Sequence, residues 1–146
     1  MDGFFSRKND EDKMKAEGRM PPGQALTQKF PVLHYGSVPP FDPQAWDFKV
    51  WGEVENPIKL TWAEFEALPK TTLKMDIHCV TRWSKFDTEW SGVHLNTLID
   101  RGLIKIRPGV TYVMQHAENG FTTNLPLEVM MAENFLLATH FNGEPI

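Results

Sequence analysis

From Thr71 to Val80 the sequence TTLKMDIHCV alternates apolar and polar residues almost without a break. An extended strand puts Leu73, Met75, Ile77 and Cys79 on one face and Lys74, Asp76 and His78 on the other. A strand with one apolar side must pair into a sheet and bury that side. The periodic segments around it are short. DFKVWGEV alternates and reads as a strand closed by the ENP turn. TWAEFEALP opens with Thr61 three residues ahead of Glu64, a capping box, and Pro69 stops the helix after about two turns. HLNTLIDRGL places Leu95, Leu98, Ile99 and Leu103 at helical intervals, and Gly102 ends it. GVTYVMQHA and FTTNLP read as two strands joined at ENG. A short helix at LEVMMA and a strand at FLLATHF follow. Short strands interrupted by short helices predict an α+β fold with a mixed, mostly antiparallel sheet.

Two stretches break the pattern. HYGSVPPFDPQAW carries Pro39, Pro40 and Pro43, which exclude a helix and a central strand, so it reads as an irregular loop. TRWSKFDTEW shows no hydrophobic period and also reads as a loop. Residues 1–29 are polar, charged and poor in β-branched residues, and are expected to form a flexible or loosely docked arm. Residues 30–146 are expected to form a single folded domain. The chain has 146 residues, 41% of them hydrophobic, enough for one core. The last residues, FNGEPI, follow a turn signal as though a further strand should begin.

Charge and cysteine count limit the function. With 15 basic and 19 acidic residues the formal charge is -4, and no long basic block offers a track for phosphates, so nucleic acid is not the expected partner. A small anionic substrate needs only one or two local cations. A lone cysteine cannot close an intramolecular disulfide, and the N-terminus has no apolar core of a secretory signal, so the expected compartment is the cytoplasm. No run of about 18 apolar residues predicts a membrane span.

That cysteine, Cys79, has two readings. It continues an apolar strand face, where free thiols commonly pack. It also precedes Arg82, Trp83, Lys85 and Trp90, and cations near a thiol favour the thiolate, the form that binds metals and attacks electrophiles. A cysteine nucleophile would need a histidine base. His78 points to the opposite face and is a poor candidate, and His116 or His140 could serve only if the fold brings one close.

HCVTRWS followed by TEWSGVHLNTLI resembles the molybdopterin-binding domain of the sulfite oxidases and of the catalytic subunit of bacterial protein-methionine-sulfoxide reductase. The likeness runs through Cys79, Val80, Trp83, Ser84, Trp90, Gly92, Val93 and Leu95. It extends to PPGQALTQKFPVLHYGSVPPFD, WGEVENPIKLTWAEFEALP and NGFTTNLPLEVM, from about Pro21 to Ile146. The resemblance implies that Cys79 gives its thiolate to molybdenum carried by one molybdopterin, soft ligation suited to a redox metal. It implies cofactor contacts from His34 and Tyr35 in LHYG and from His116 at the end of YVMQHA; the other reading of His34 is a histidine that caps its own loop. Arg82, whose fork suits sulfite-like or phosphate groups, is the candidate for holding an oxyanion.

The implied activity is oxygen-atom exchange between a small substrate and water. An external electron-transfer partner is implied as well, because the chain has no haem, flavin or iron–sulfur pattern. The run after the cysteine differs from that of the sulfite oxidases, which leaves the substrate open between sulfite-like and sulfoxide-like molecules. The family continues past the final turn with further pterin-phosphate contacts, so a weaker hold on the cofactor is expected for a chain ending at Ile146. Two rival readings remain at this point: a cofactor-free module that keeps the fold, and a cysteine-nucleophile enzyme.

Overall fold

The computed structural model describes residues 2–31 and 33–146, with side chains described from residue 8 onward. Met1, the first residue of the expected arm, and Val32 lie outside the described residues. In chain order the elements are α1 (Asp2–Ala16), β1 (Ala25–Leu26), β2 (Asp47–Val50), β3 (Ile58–Thr61), α2 (Trp62–Glu66), β4 (Thr71–His78), β5 (Trp83–Val93), α3 (Leu95–Asp100), β6 (Tyr112–His116), β7 (Thr122–Pro126), α4 (Leu127–Met130), β8 (Leu137–Phe141) and β9 (Glu144–Pro145). The architecture is α+β and its strand pairs are antiparallel with one exception, as the alternation predicts.

β5 is the centre of the main sheet. It pairs antiparallel with β4 along most of its length, from Thr71↔Gly92 to His78↔Ser84. Its opposite edge takes β8 near Trp90–Val93 and β1, in parallel, at Trp83 and Ser84. β9 adds to β8, and β2–β3 and β6–β7 form separate two-stranded ribbons.

The segment that forms β5 was expected to be a loop. The reason for the difference lies in its side chains: between Trp83 and Trp90 the residues sealed in the interior are Ser84 and Thr88, at 0% and 1% exposure, and a buried apolar residue, Val93, comes only at the end of the strand. Their polar atoms are satisfied locally, Thr88 Oγ1 donating to the Met75 carbonyl at 2.5 Å and accepting from Trp90 Nε1 at 2.9 Å. A bulge also breaks the period. Between Met75↔Thr88 and Ile77↔Lys85, two residues of β5, Phe86 and Asp87, face one of β4, and Asp87 takes a positive φ of 53°.

The main core gathers Phe65, Leu68, Val93, Leu95, Leu98, Ile104 and Met130 between the sheet, the β2–β3 ribbon and the short helices. The capping box holds as expected: Thr61 Oγ1 accepts from the Glu64 N–H, and Glu64 accepts from the Thr61 N–H at 2.8 Å. That bonding keeps the Glu64 carboxyl below its usual range. Gly102, at φ 69°, ends the α3 turn.

One further expectation changes. The strand read from DFKVWGEV ends at Val50, because Gly52 at φ 92° turns the chain, and only Val54 pairs again, with Ile106. Ahead of Phe30, where a flexible or loosely docked arm was expected, the chain forms α1 and β1. Met14, Met20 and Leu26 are buried there against Phe86 in a small second core. Methionines scattered in a charged run leave no helical stripe to read, yet their flexible side chains fill such a gap. Arg19 adds a fork to Asp76, with bonds of 2.9 and 2.7 Å, and reaches Asp87 at 2.9 Å. The guanidinium holds the Asp76 carboxyl below its usual range.

Candidate functional site

β4 ends at His78, two residues short of the alternating run's end at Val80, so Cys79 begins the turn to β5 instead of continuing the strand. Four residues, Cys79 to Arg82, make that turn. The Arg82 N–H donates to the Cys79 carbonyl and the Cys79 N–H donates to the Trp83 carbonyl, both at 2.9 Å. Arg82 sits at φ 69°. A tight turn followed by a left-handed residue is a common way to close a hairpin with this many loop residues, and glycine is the usual occupant of the last position. An arginine held there points to a constraint other than turn preference.

The sulfur is half-buried and free of any disulfide. Thr81 Oγ1 donates to Cys79 Sγ at 3.2 Å. That hydroxyl, followed by the Thr81 and Val80 backbone N–H groups, holds the thiol below its ordinary pKa, the shift that favours a thiolate. Val80, 94% exposed, stands at the tip. Arg82 is exposed, and among the described residues its guanidinium has no ion pair or side-chain hydrogen bond. Trp83 keeps its indole N–H buried and without a partner among the described residues, while its ring meets Phe30 edge-on at 5.5 Å.

His34, Tyr35 and His116 come together elsewhere, around the tip of the β6–β7 ribbon. His34 Nδ1–H donates to the Gly36 carbonyl at 2.7 Å, so this histidine caps its own loop. Asn119, in the 3-10 turn Glu118–Gly120 between β6 and β7, donates from Nδ2 to the Tyr35 and Ser37 carbonyls at 3.2 and 2.8 Å. Tyr35 lies 5.8 Å from the Phe121 ring and is 65% exposed. His116 ends β6 with its ring 5.1 Å from that of Trp51. Gly36, at φ 74°, leaves room for Asn119: a Cβ there would stand 3.1 Å from Asn119 Nδ2.

The five expected site residues thus fall into two groups, Cys79 with Arg82 and His34 with Tyr35 and His116. Among the described residues no hydrogen bond, ion pair or ring contact joins the two. Neither His116 nor His140 bonds to the sulfur, and His78 Nδ1 lies 2.8 Å from Ser84 Oγ instead. Among the described residues no histidine is paired with the sulfur as the base of a cysteine nucleophile would be.

Three residues that sequence reasoning passed over hold these loops: Thr81 at the sulfur, Asn119 under the His34–Tyr35 loop, and Gln24. Gln24 Nε2 donates to the Cys79 carbonyl at 3.0 Å. Only Asn119 carried a signal, since an asparagine before glycine commonly takes the left-handed conformation seen here at φ 58°.

A family model described as the oxidoreductase molybdopterin binding domain matches residues 35–146. The uncharacterized oxidoreductase YuiH of Bacillus subtilis (strain 168) is 42% identical over 144 residues, 98% of this chain and 70% of that protein. Among solved structures, the sulfane dehydrogenase SoxCD from Paracoccus pantotrophus shares the fold with a TM-score of 0.64 at 20% identity, over 77% of this chain. The chain spans 33% of the length of that SoxCD chain. On the domain match and the similarity to YuiH, the chain belongs to the oxidoreductase molybdopterin-binding domain family, whose cofactor is molybdopterin.

Proposed function

We propose that the chain is a molybdenum-dependent oxidoreductase in which Cys79 is the protein's ligand to the metal, and that its substrate is a small sulfite- or sulfoxide-like molecule. The cofactor, when bound, supplies two-electron redox chemistry and oxygen-atom exchange between substrate and water. The residues fit such a group. Among the described residues no cluster of three or more His, Cys, Asp or Glu could hold a metal, while one soft sulfur is held in a hydrogen-bonded turn. A lone thiolate suits a metal whose other ligands arrive with the cofactor.

The observation that carries the reading is the bond from Thr81 to the Cys79 sulfur in a turn whose backbone groups are paired. It favours the thiolate form of the sulfur and fixes its direction without a neighbouring base. Arg82, exposed and without a side-chain partner among the described residues, is proposed to orient an anionic substrate through its planar fork. His34, Tyr35 and His116 are proposed as cofactor contacts from the second loop cluster. Their loop is already ordered by Asn119, so binding would cost little further ordering. Among the described residues no helix is long and apolar enough to cross a membrane. Electrons are proposed to pass to or from a separate redox protein.

The test is Cys79→Ser in protein produced with its cofactor. Metal analysis should fall from about one molybdenum per chain to a small fraction of that, while the circular dichroism spectrum of the folded chain is retained. Wild-type molybdenum content in the serine variant refutes the ligand assignment. A cofactor-free purified wild-type chain that stays empty when supplied with molybdopterin favours the non-catalytic module instead.

A further inference from the structure

The turn that carries Cys79 is held from outside the hairpin. β1 runs parallel to the first residues of β5, and its backbone closes on the turn itself: the Ala25 N–H donates to the Arg82 carbonyl at 3.0 Å and the Thr27 N–H donates to the Ser84 carbonyl at 2.9 Å. One residue earlier, Gln24 spends both ends of its amide here. Nε2 donates to the Cys79 carbonyl at 3.0 Å, and Oε1 accepts from Ser84 Oγ at 3.3 Å. Ser84 is fully buried and is itself tied to His78 Nδ1 at 2.8 Å.

The Cys79 carbonyl therefore has both lone pairs engaged, one by Arg82 N–H within the turn and one by Gln24 from a segment 55 residues earlier. A four-residue turn with an arginine in the left-handed region has little intrinsic preference for its shape. A bond from a strand docked on the far edge of β5 removes that freedom. It does so at the peptide group that carries the candidate ligand, and residues 24–27 lie ahead of the stretch matched by the family model, 35–146.

We propose that Gln24 is a positioning residue for the metal-ligating turn: its side-chain amide, delivered by β1, fixes the Cys79 peptide and with it the direction of the sulfur toward the cofactor. The inference rests on Cys79 being the ligand. It assigns to the N-terminal segment a role in cofactor retention, over and above the small core of Met14, Met20 and Leu26 that anchors it.

Gln24→Ala and Gln24→Glu test it in the full chain produced with its cofactor. Glutamate keeps the volume but has no N–H to donate at neutral pH. Thr61→Ala, which loses the α2 cap, serves as a control for general loss of stability. Hydrogen exchange at the Ala25 and Arg82 amides should quicken about fivefold in both Gln24 variants, the size expected for one lost hydrogen bond. Molybdenum per chain should fall by half or more, and Thr61→Ala should change neither. Unaltered exchange, unaltered loading in both Gln24 variants, or an equal loss in Thr61→Ala overturns the proposal. Full loading of Gln24→Ala beside an empty Cys79→Ser overturns the positioning role alone. Full loading of Cys79→Ser overturns both the ligand assignment and the role given to Gln24.

Discussion

Gly92 belongs to the WSGV run through which the family resemblance passes, and its role here is steric. A Cβ built on it would stand 2.3 Å from the Leu137 carbonyl oxygen, 2.6 Å from Ala138 Cα and 2.8 Å from the Leu137 carbonyl carbon. All three are backbone atoms of β8 and its first residues, so no side-chain rotation relieves the overlap. The β5–β8 register slips between Ser91 and Gly92, which brings the two backbones together at this point. Forcing extra atoms into packed interiors costs ~1–3 kcal/mol. An obstacle made of backbone belongs at the upper end, about 3 kcal/mol, a large part of the ~5–15 kcal/mol that holds a domain folded. For a chain of this size that corresponds to a melting temperature lowered by roughly 10 °C in Gly92→Ala. Gly102→Ala is the comparison. Unlike Gly92 it has a positive φ, 69°, but nothing lies within 4 Å of its Cβ, so it should cost only about 1 kcal/mol of backbone strain. Thermal and urea melts followed by circular dichroism measure both. A Gly92→Ala protein melting within about 2 °C of wild type, or a Gly102→Ala protein hurt more than Gly92→Ala, refutes the close approach of β5 and β8.

Thr81→Val removes the hydroxyl donor to Cys79 while keeping the side-chain shape. The thiol pKa should rise, so the thiolate fraction at neutral pH falls and the rate–pH profile for alkylation of cofactor-free protein moves to higher pH; an unmoved profile means the 3.2 Å contact does not bear on the sulfur. Asn119→Ala frees the Tyr35 and Ser37 carbonyls, and limited proteolysis should cut the 33–38 loop faster while the melting temperature falls by only a few degrees, since each such bond contributes about 1 kcal/mol. Equal cleavage in both proteins would show that the loop is ordered by other contacts.

Elements whose burial is written in apolar residues were legible from the sequence. β4 shows its alternation, α2 its capping box at Thr61 and Glu64, α3 its leucine spacing and terminal Gly102, and β6–β7 the turn at Asn119–Gly120. The Trp83–Trp90 part of β5 was hidden because Ser84 and Thr88 are the residues it seals in the interior and because the bulge at Phe86–Asp87 shifts its period. No pattern of hydropathy reports a hydroxyl satisfied by the carbonyl of a neighbouring strand. The N-terminal segment was hidden because its docking rests on three spaced apolar side chains and an Arg19 fork to Asp76 and Asp87 far along the chain. The candidate site shows the same division. Residue type and motif pointed to Cys79 and Arg82, but the groups that hold them, Thr81 and Gln24, are visible only once the turn and β1 are in place.

The chain distances at the Cys79 turn set an order of assembly. β4 and β5 are joined by four residues, and such hairpins close in about 1–10 μs. Gln24 must cross 55 residues to reach the same peptide, a closure that bears a larger entropic cost and comes later in folding. The thiol thus has an early period in a hairpin that is formed but still pliant, and a later one after the latch has dropped. Release of Gln24 alone would return the turn to the first condition without opening the β4–β5 hairpin.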